Sequence, residues 1–361
     1  MKDMSHPHWF NVLIWLASLA LIAMTLLPLA RTSAWWVRAF DFPRAQIAGF
    51  LAIVLLAGVL ALDRGSGATW LLIVALTASL VYQVVRIFPF TPLAPVQATT
   101  VQRCAPSARI RLLIANVLES NRDSRPLLEM TRRLEPDVLL AMETDAWWDR
   151  ELSALDGDYP FRVRQPQENT YGMHLFSRLE LVEPEVRYLL EDDVPSIHAA
   201  IRLRSGALVD FHGVHPKPPD IDQDTAERDA ELLIVGRQVR KKGVPAIVAG
   251  DLNDVAWSRT NRLFQEISGL LDPRIGRGLY STFNANWPLL RWPLDHVFFH
   301  ETLALIDMRR MGPIGSDHFP IYIALCHQPE AAARQSAPQP DAEDEQDADE
   351  AIDEGREQSE P

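Results

Sequence analysis

Three long uncharged apolar segments lie in the first quarter of the chain. They cover residues 9–30, 45–62 and 65–85 and contain 22, 18 and 21 residues. About 20 apolar residues cross a bilayer as a helix, because a helix satisfies its own backbone groups there. The pattern predicts three transmembrane helices within residues 1–90; a cleaved signal peptide for the first segment, or three buried core helices, are the alternatives. Aromatic residues suited to a membrane interface lie near the segment ends: Trp9, Trp35, Trp36, Trp70 and Tyr82.

After residue 108 the pattern changes to short apolar runs that alternate with helical stretches. Helical spacing is present at residues 124–136, which end at Pro136, and at residues 224–242, which Gly243 terminates. Strands interleaved with a few helices favour two packed sheets with helices outside, although periodicity alone does not separate this from an open α/β sheet. Buried strands are predicted at residues 109–117, 137–143, 173–177, 197–203, 208–215, 245–251, 294–300 and 318–325.

Charge divides the chain into three parts. Residues 1–108 carry 7 Lys/Arg and 3 Asp/Glu, a net of +4, whereas residues 109–330 have a net of −8. The last 31 residues have a net of −9 and almost no large apolar side chains, so they are expected to form a disordered acidic tail. The predicted organisation is a membrane domain at 1–90, a linker at 91–108, an α/β domain at 109–327 and the tail at 331–361.

Two signals disagree about the orientation of the α/β domain. More basic residues lie on its side of the three segments than on the other side, which by the positive-inside rule weakly predicts the cytoplasm. Cys104 precedes the first strand of this domain and Cys326 ends the last one. If those strands pair antiparallel, a disulfide is within reach and implies an oxidising periplasmic or extracellular compartment; two unrelated thiols are the alternative. The counted basic groups are Arg31, Arg38, Arg44, Arg86 and Arg103 against Lys2, the amino terminus and Arg64.

Polar residues recur where the predicted strands begin or end. If the strands are neighbours, these side chains converge on one pocket at the edge of the sheets. Carboxylates and an amide without cysteine suit Mg²⁺ or Mn²⁺, whereas histidines beside them suit a phosphate group. The chemistry indicated is attack of water on phosphorus beside a divalent ion. The residues are Asn116, Glu143, His215, Asp251, Asn253, Asp295, His296, Asp317 and His318.

The order of these residues resembles a known superfamily. Asn116, Glu143 and His215 are followed by GDLN at 250–253, LDH at 294–296 and SDHFP at 316–320. This series is similar to the endonuclease/exonuclease/phosphatase superfamily (deoxyribonuclease I-like), here as a membrane-anchored bacterial-type member. The resemblance implies a four-layer α/β sandwich of two packed mixed sheets flanked by helices, preceded by the three transmembrane helices. It also implies a metal-dependent phosphoric ester hydrolase.

The resemblance further implies a role for each site residue. Glu143 would bind the metal, helped by Asn116 and Asp317. Asp251 would orient or deprotonate the attacking water, and Asn253 would help to hold the water or the phosphate. Asp295 would support His318, which would contact the phosphate together with His215. Possible substrate contacts are Tyr171, Arg274 and Arg277.

The substrate is the least determined property. An acidic domain without an obvious basic stripe weakens a nuclease function, since backbone phosphates are usually held by Lys and Arg. Membrane tethering favours a phospholipid by raising its local concentration. A small phosphodiester or phosphomonoester, a nucleic acid, and a silent phosphate-ligand sensor remain alternatives. The sensor is disfavoured because Glu143, Asp251 and His318 are all present.

Overall fold

The structure is a computed structural model that describes residues 8–221 and 223–359. Lys2 and the amino terminus, which enter the charge count above, lie outside the described residues. The N-terminal part contains helices α1 (His8–Leu26), α2 (Trp35–Arg38), α3 (Arg44–Ala61) and α4 (Gly67–Ile87). Three stretches are long and apolar enough to cross a membrane, namely His8–Leu29, Arg44–Ala61 and Gly67–Phe90.

The remainder of the described chain contains eleven strands and five helices. Two helices begin at side-chain caps, since Asp145 accepts a bond from Trp148 N and Ser258 accepts one from Asn261 N. The helices are α5 (Arg125–Leu134), α6 (Ala146–Leu152), α7 (Ala226–Lys242), α8 (Arg259–Ser268) and α9 (Ala342–Ser359). The strands are β1 (Arg109–Asn116), β2 (Val138–Met142), β3 (Phe161–Gln165), β4 (Met173–Ser177), β5 (Glu180–Tyr188), β6 (Pro195–Arg202), β7 (Leu208–Gly213), β8 (Ala246–Asp251), β9 (Asp295–Phe299), β10 (Leu303–Arg310) and β11 (Ile321–His327).

The strands form two mixed sheets that pack face to face. One sheet has the order β10-β11-β1-β2-β4-β3 and the other has the order β5-β6-β7-β8-β9. Only β1–β2 and β7–β8 are parallel among these paired strands. Apolar side chains from both sheets fill one core between them, and further clusters lie under α5 and α6 on one outer face and under α7 and α8 on the other. The predicted four-layer sandwich is confirmed.

The segment predicted as a linker is paired with the edge of a sheet. Val101 N donates to Leu305 O at 2.8 Å, and Leu305 N donates to Thr99 O at 2.9 Å. Ala98 is fully buried in the core between the sheets. Residues 97–101 therefore fix the end of the N-terminal helices close to the α/β domain.

Direct bonds also join the loop between α1 and α3 to the α/β domain. The Trp257 indole donates to Asp41 O at 2.7 Å, and Thr225 N donates to Ser33 O at 2.9 Å. Asp41 lies in a buried ion-pair cluster with Arg38 and Arg44. Two of the arginines counted by the positive-inside rule are thus buried beside one carboxylate, which balances one of their two positive charges.

Cys104 and Cys326 form a disulfide. Strands β1 and β11 pair antiparallel with Arg109 opposite Cys326, which brings the segment before β1 next to the end of β11. The sequence left open whether the two cysteines are bonded, since two separate free thiols were the alternative. The bond joins positions 222 residues apart.

The acidic tail is a helix for most of its length, so the prediction of disorder is wrong for Ala342–Ser359. Ala348, Ile352 and Gly355 form a stripe along α9 that packs on α7 and α8. Composition alone gave no sign of this helix, because the helix depends on contacts with distant parts of the chain. Several of its carboxylates form ion pairs with arginines of other elements. The ion pairs are Arg259–Asp347, Arg237–Asp349, Arg262–Asp344 and Arg31–Asp347.

Candidate active site

The ends of the central strands bring the predicted site residues to one edge of the sandwich. Asn116 pairs in register with Met142, which Glu143 follows, and Asp251 lies opposite Asp295. At Gly250, φ is 152° and a Cβ atom would lie 1.8 Å from the carbonyl oxygen of Val214. Only glycine permits the backbone at position 250 to come this close to Val214. The next residues of the two segments, Asp251 and His215, are therefore brought side by side.

A cavity of about 320 Å³ opens at this edge. The sequence predicted seven of the residues that line it, and six others were not among the predicted site residues. The predicted ones are Glu143, Tyr171, His215, Asp251, Asn253, Asp317 and His318. The others are Phe42, Thr170, Pro218, Pro219, Phe283 and Leu294.

Asn116 holds two carboxylates in place at the floor of this cavity. Its Nδ2 donates to Glu143 Oε1 at 2.7 Å and to Asp251 Oδ2 at 3.1 Å. Its Oδ1 accepts from Leu118 N at 3.0 Å, so the amide nitrogen faces the cavity. This arrangement suits a residue that positions the two carboxylates, and the metal-ligand role that the resemblance implied for Asn116 stays a prediction.

Burial raises the pKa of Glu143, although His215, Asn116 and the Glu119 N–H counteract this effect. In the part of the chain that the structure describes, Glu143 has no ion-pair partner. A buried carboxylate that receives only amide donors is costly to keep ionised, and a divalent cation would offset that cost. The donor set therefore fits a hard metal ion near Glu143 and Asp317.

Asp251 lies between two histidines. Its Oδ2 is 3.4 Å from His318 Nε2 and 4.0 Å from His215 Nε2. On its other ring nitrogen, His318 is bonded to Asp295 Oδ2 at 2.7 Å. Burial alone would lower the pKa of His318, but Asp251 and Asp295 outweigh it and raise that pKa to about 10. His318 is thus an imidazolium near neutral pH, with a proton on each nitrogen.

His215 and Tyr171 form the opposite wall. Their rings are 5.7 Å apart, and burial raises the pKa of the Tyr171 phenol to about 12. The Nδ1 atom of His215 is buried without a hydrogen-bond partner among the described residues. Asn253 is fixed nearby, because its Nδ2 donates to Pro216 O at 2.9 Å. These groups offer hydrogen-bonding capacity toward an anion.

The structure places Arg274 and Arg277 in contacts within the protein and outside the lining of the cavity, and the substrate role for this pair stays a prediction. Arg274 is buried in an ion pair with Asp272 and bonds to His296 Nδ1 at 2.6 Å. Arg277 bonds to the carbonyl oxygens of Ala98 and Pro273. Their position in a glycine-rich loop suggested a phosphate contact, whereas the loop serves to anchor residues 97–101.

A second group with metal-ligand spacing lies outside the cavity. His198, Asp210 and His212 are buried with their ligand atoms within 4.8 Å of one another. The Asp210 carboxylate accepts from both imidazoles and from Lys242 Nζ at 2.5 Å. These hydrogen bonds outweigh desolvation and hold the pKa of Asp210 well below its usual range. Its negative charge is already compensated, so this group is a structural network.

The comparisons with known proteins agree with this geometry. The sequence profile of the endonuclease/exonuclease/phosphatase family matches residues 113–318, which is more than half of the chain. The protein belongs to this family. Members are in general metal-dependent phosphoesterases and nucleases, and Asp251, Asp295 and His318 each offer a ligand atom within 4.8 Å of the others, a spacing that could hold a metal ion. No curated protein matches the chain.

Solved structures share the fold at low sequence identity. The Beutenbergia cavernae endonuclease/exonuclease/phosphatase is 18% identical with a TM-score of 0.51, over 61% of this chain and 72% of that one. The human Nocturnin catalytic domain with bound sulfate is 18% identical with a TM-score of 0.51, over 63% and 97%. D. rerio TDP2 with a single-strand DNA product is 16% identical with a TM-score of 0.50, over 60% and 99%.

Proposed function

We propose that this protein is a membrane-tethered phosphoesterase that depends on a divalent metal ion and hydrolyses its substrate by in-line attack of water. The observation that carries the proposal is the position of Asp251, which lies between His215 and His318 and shares Asn116 with Glu143. A general base (Asp251), a cationic hydrogen-bond donor (His318) and carboxylates that would bind a metal ion (Glu143 and Asp317) line one cavity. This combination is what phosphoester hydrolysis requires.

Glu143 and Asp317 would hold the ion, which would be Mg²⁺ or Mn²⁺ from the oxygen-rich donor set. When bound, such an ion supplies charge neutralisation at the phosphate oxygens. Asn116 would keep the Glu143 carboxylate aimed at the cavity. Asp295 would act through His318, whose orientation it fixes.

The reaction then assigns one task to each remaining side chain. Asp251 takes the proton of the attacking water as the water oxygen bonds to phosphorus. The ester P–O bond breaks, and the leaving oxygen takes a proton from solvent. His318 donates to a phosphate oxygen that gains charge in the transition state, and His215, Asn253 and Tyr171 hold the phosphate or the water.

Glu143→Gln is expected to weaken Mn²⁺ binding by about 10–100-fold or more, because it removes a ligand charge. Calorimetric titration of the detergent-solubilised full chain measures this affinity. Hydrolysis of bis-p-nitrophenyl phosphate should require Mg²⁺ or Mn²⁺ and stop with a chelator. Glu151→Gln is the matched control, since Glu151 bonds to Ser124 on another face. Equal Mn²⁺ affinity in wild type and Glu143→Gln would refute the ligand assignment.

Nucleic acid is the second candidate substrate class, because the related fold of D. rerio TDP2 holds a single-strand DNA product. The net charge of −8 over residues 109–330 disfavours a nucleic acid substrate, because the nucleic-acid backbone is also negatively charged. A protein that binds Mn²⁺ but hydrolyses no phosphate ester would instead be the phosphate-ligand sensor. The hydrolysis assay separates the sensor from both enzymes.

We also propose that the α/β domain faces an oxidising compartment. The Cys104–Cys326 disulfide supports this orientation, against the weak positive-inside signal of the sequence. Protein isolated from cells is expected to react with a maleimide only after reduction. Cys326→Ala should lower the free energy of unfolding by about 2–5 kcal/mol. Full alkylation of both thiols without reduction would favour the cytoplasm.

A further inference from the structure

One apolar loop of the α/β domain is exposed beside the cavity. It comprises residues 284–291, and Trp287, Leu289 and Leu290 are exposed to 66%, 85% and 48%. Single exposed apolar side chains are common on soluble domains, but three within four residues form a patch that water disfavours. The patch therefore indicates an apolar surrounding.

The same loop is tied to the cavity wall. Phe283 N donates to Trp292 O at 3.0 Å at the base of the loop, and Ala285 N donates to Asp317 O at 2.7 Å. The Phe283 ring also lies 5.0 Å from the His318 ring. The 284–291 loop is thus hydrogen-bonded directly to the segment that carries Asp317 and His318.

A hydrogen bond fixes the loop relative to the membrane helices. Gln46 Nε2 donates to Leu289 O at 2.8 Å, and Gln46 lies in the first turn of α3. Phe50, one turn further along the same helix, is 58% exposed on its apolar surface. The Leu289 backbone therefore lies beside the first turn of α3, at the level where α3 would enter a bilayer, and its side chain is exposed there.

The cavity itself has a wall from the membrane side. Phe42, which precedes α3, lines it, and its ring makes an edge-to-face contact with Trp292 at 5.8 Å. Phe283 and Leu294 continue this apolar wall. The rest of the lining carries the carboxylates and histidines, so the cavity offers apolar contact beside Phe42 and polar contact at the proposed catalytic residues. A phospholipid has the same two parts, apolar acyl chains and a polar headgroup phosphate.

Two arginines, one in the loop and one outside it, line a groove next to the loop. Arg291 and Arg310 line a groove of about 540 Å³ together with Pro288 of the loop. Both guanidinium groups stack on Phe319, at 4.9 and 4.4 Å from its ring centroid. Cations next to an inserted apolar loop suit the anionic headgroup layer.

We propose that the 284–291 loop inserts into the leaflet that α3 enters, and that the substrate is a phosphate ester of a membrane lipid. The headgroup phosphate would reach the cavity from the membrane plane, past Phe42 and Phe283. The substrate assignment rests on the proposed phosphoesterase function. The insertion of the loop does not, because it follows from exposure and from the Gln46 bond.

Insertion is tested with the full chain carrying Leu289→Cys. Both native cysteines are in the disulfide, so the new thiol is the one that a fluorophore labels. In phosphatidylcholine–phosphatidylglycerol vesicles, lipids brominated in the acyl chains should quench this fluorophore. The matched control is Leu208→Cys at the start of β7, the end of that strand far from His215. Equal quenching at both positions, or none at 289, overturns the insertion.

Substrate class is tested with Trp287→Ser/Leu289→Ser in the same vesicles. We expect hydrolysis of the vesicle phospholipids to fall by about tenfold or more, since the lipid phosphate is no longer presented to the cavity. Hydrolysis of water-soluble bis-p-nitrophenyl phosphate should be unchanged, and Leu208→Ser should leave both activities intact. Unchanged phospholipid hydrolysis in the double variant overturns the role of the loop.

Two further outcomes separate this inference from the proposed function. If wild type hydrolyses the soluble ester and plasmid DNA but no phospholipid, the lipid assignment is wrong while the phosphoesterase function stands. If wild type hydrolyses none of the three, the phosphoesterase function fails. The quenching result still decides insertion in that case, because it does not depend on turnover.

Discussion

Asp251→Asn is expected to lower kcat for bis-p-nitrophenyl phosphate by about 10²–10⁴-fold, the usual contribution of a positioned general base. The Asp251 carboxylate is the one that both His215 and His318 approach, at 4.0 and 3.4 Å. An amide of the same shape keeps the packing but does not accept the proton of the attacking water. Mn²⁺ affinity should change much less than kcat, since Glu143 and Asp317 are left intact.

Asp254→Asn is the matched control for this variant. Asp254 follows the same strand and is equally buried, but it bonds to Ser258 Oγ at 2.5 Å and lies near Arg228. Its loss should reduce thermal stability and leave turnover close to that of wild type. If Asp251→Asn folds, binds Mn²⁺ and turns over at the wild-type rate, the base assignment is wrong.

The central strands were predictable from sequence, whereas three edge strands were missed. β1, β2, β8 and β11 are buried on both faces, so each is a continuous apolar run. β3, β5 and β10 lie at sheet edges and carry exposed charged residues. Such charges protect an edge from unwanted pairing, and they also remove the periodic signal that identifies a strand.

The polar half of the candidate site was predictable for a related reason. A carboxylate or histidine directly after a buried run marks the end of a strand, and neighbouring strands bring such ends together. The apolar residues Phe42 and Phe283 of the cavity were not predictable. Phe42 lies more than 70 residues before Asn116 in the loop that precedes α3, and Phe283 lies outside every predicted strand. Their positions depend on how the N-terminal helices dock on the α/β domain, which periodicity does not encode.

The acidic helix α9 shows the same limitation. Its composition is that of a chain that cannot fold alone, and only the surface of α7 and α8 makes the helix favourable. Arg237, Arg259 and Arg262 supply that surface with positive charge, although each looks like an ordinary solvent-exposed residue in the sequence. Charge complementarity between distant segments is a tertiary property.

His318→Ala is expected to lower kcat by about 10²–10³-fold, the usual cost of removing one donor to a developing oxyanion. The Asp251 and Asp295 carboxylates raise the pKa of His318 to about 10 despite its burial, so wild type presents a charged donor at neutral pH. A charged donor gains more from the growing negative charge of the transition state than from the ground state. The loss should therefore appear in kcat more than in KM.

His174→Ala separates this catalytic role from a structural one. His174 is also buried and bonded to a carboxylate, Asp149 Oδ1 at 2.9 Å, but it lies on β4 outside the cavity lining. It should lower thermal stability and leave kcat nearly unchanged. His318→Gln, which keeps more of the side-chain volume, covers the case in which the alanine variant does not fold. Wild-type kcat in a folded His318 variant would mean that the phosphate charge is stabilised by His215 and the metal position alone.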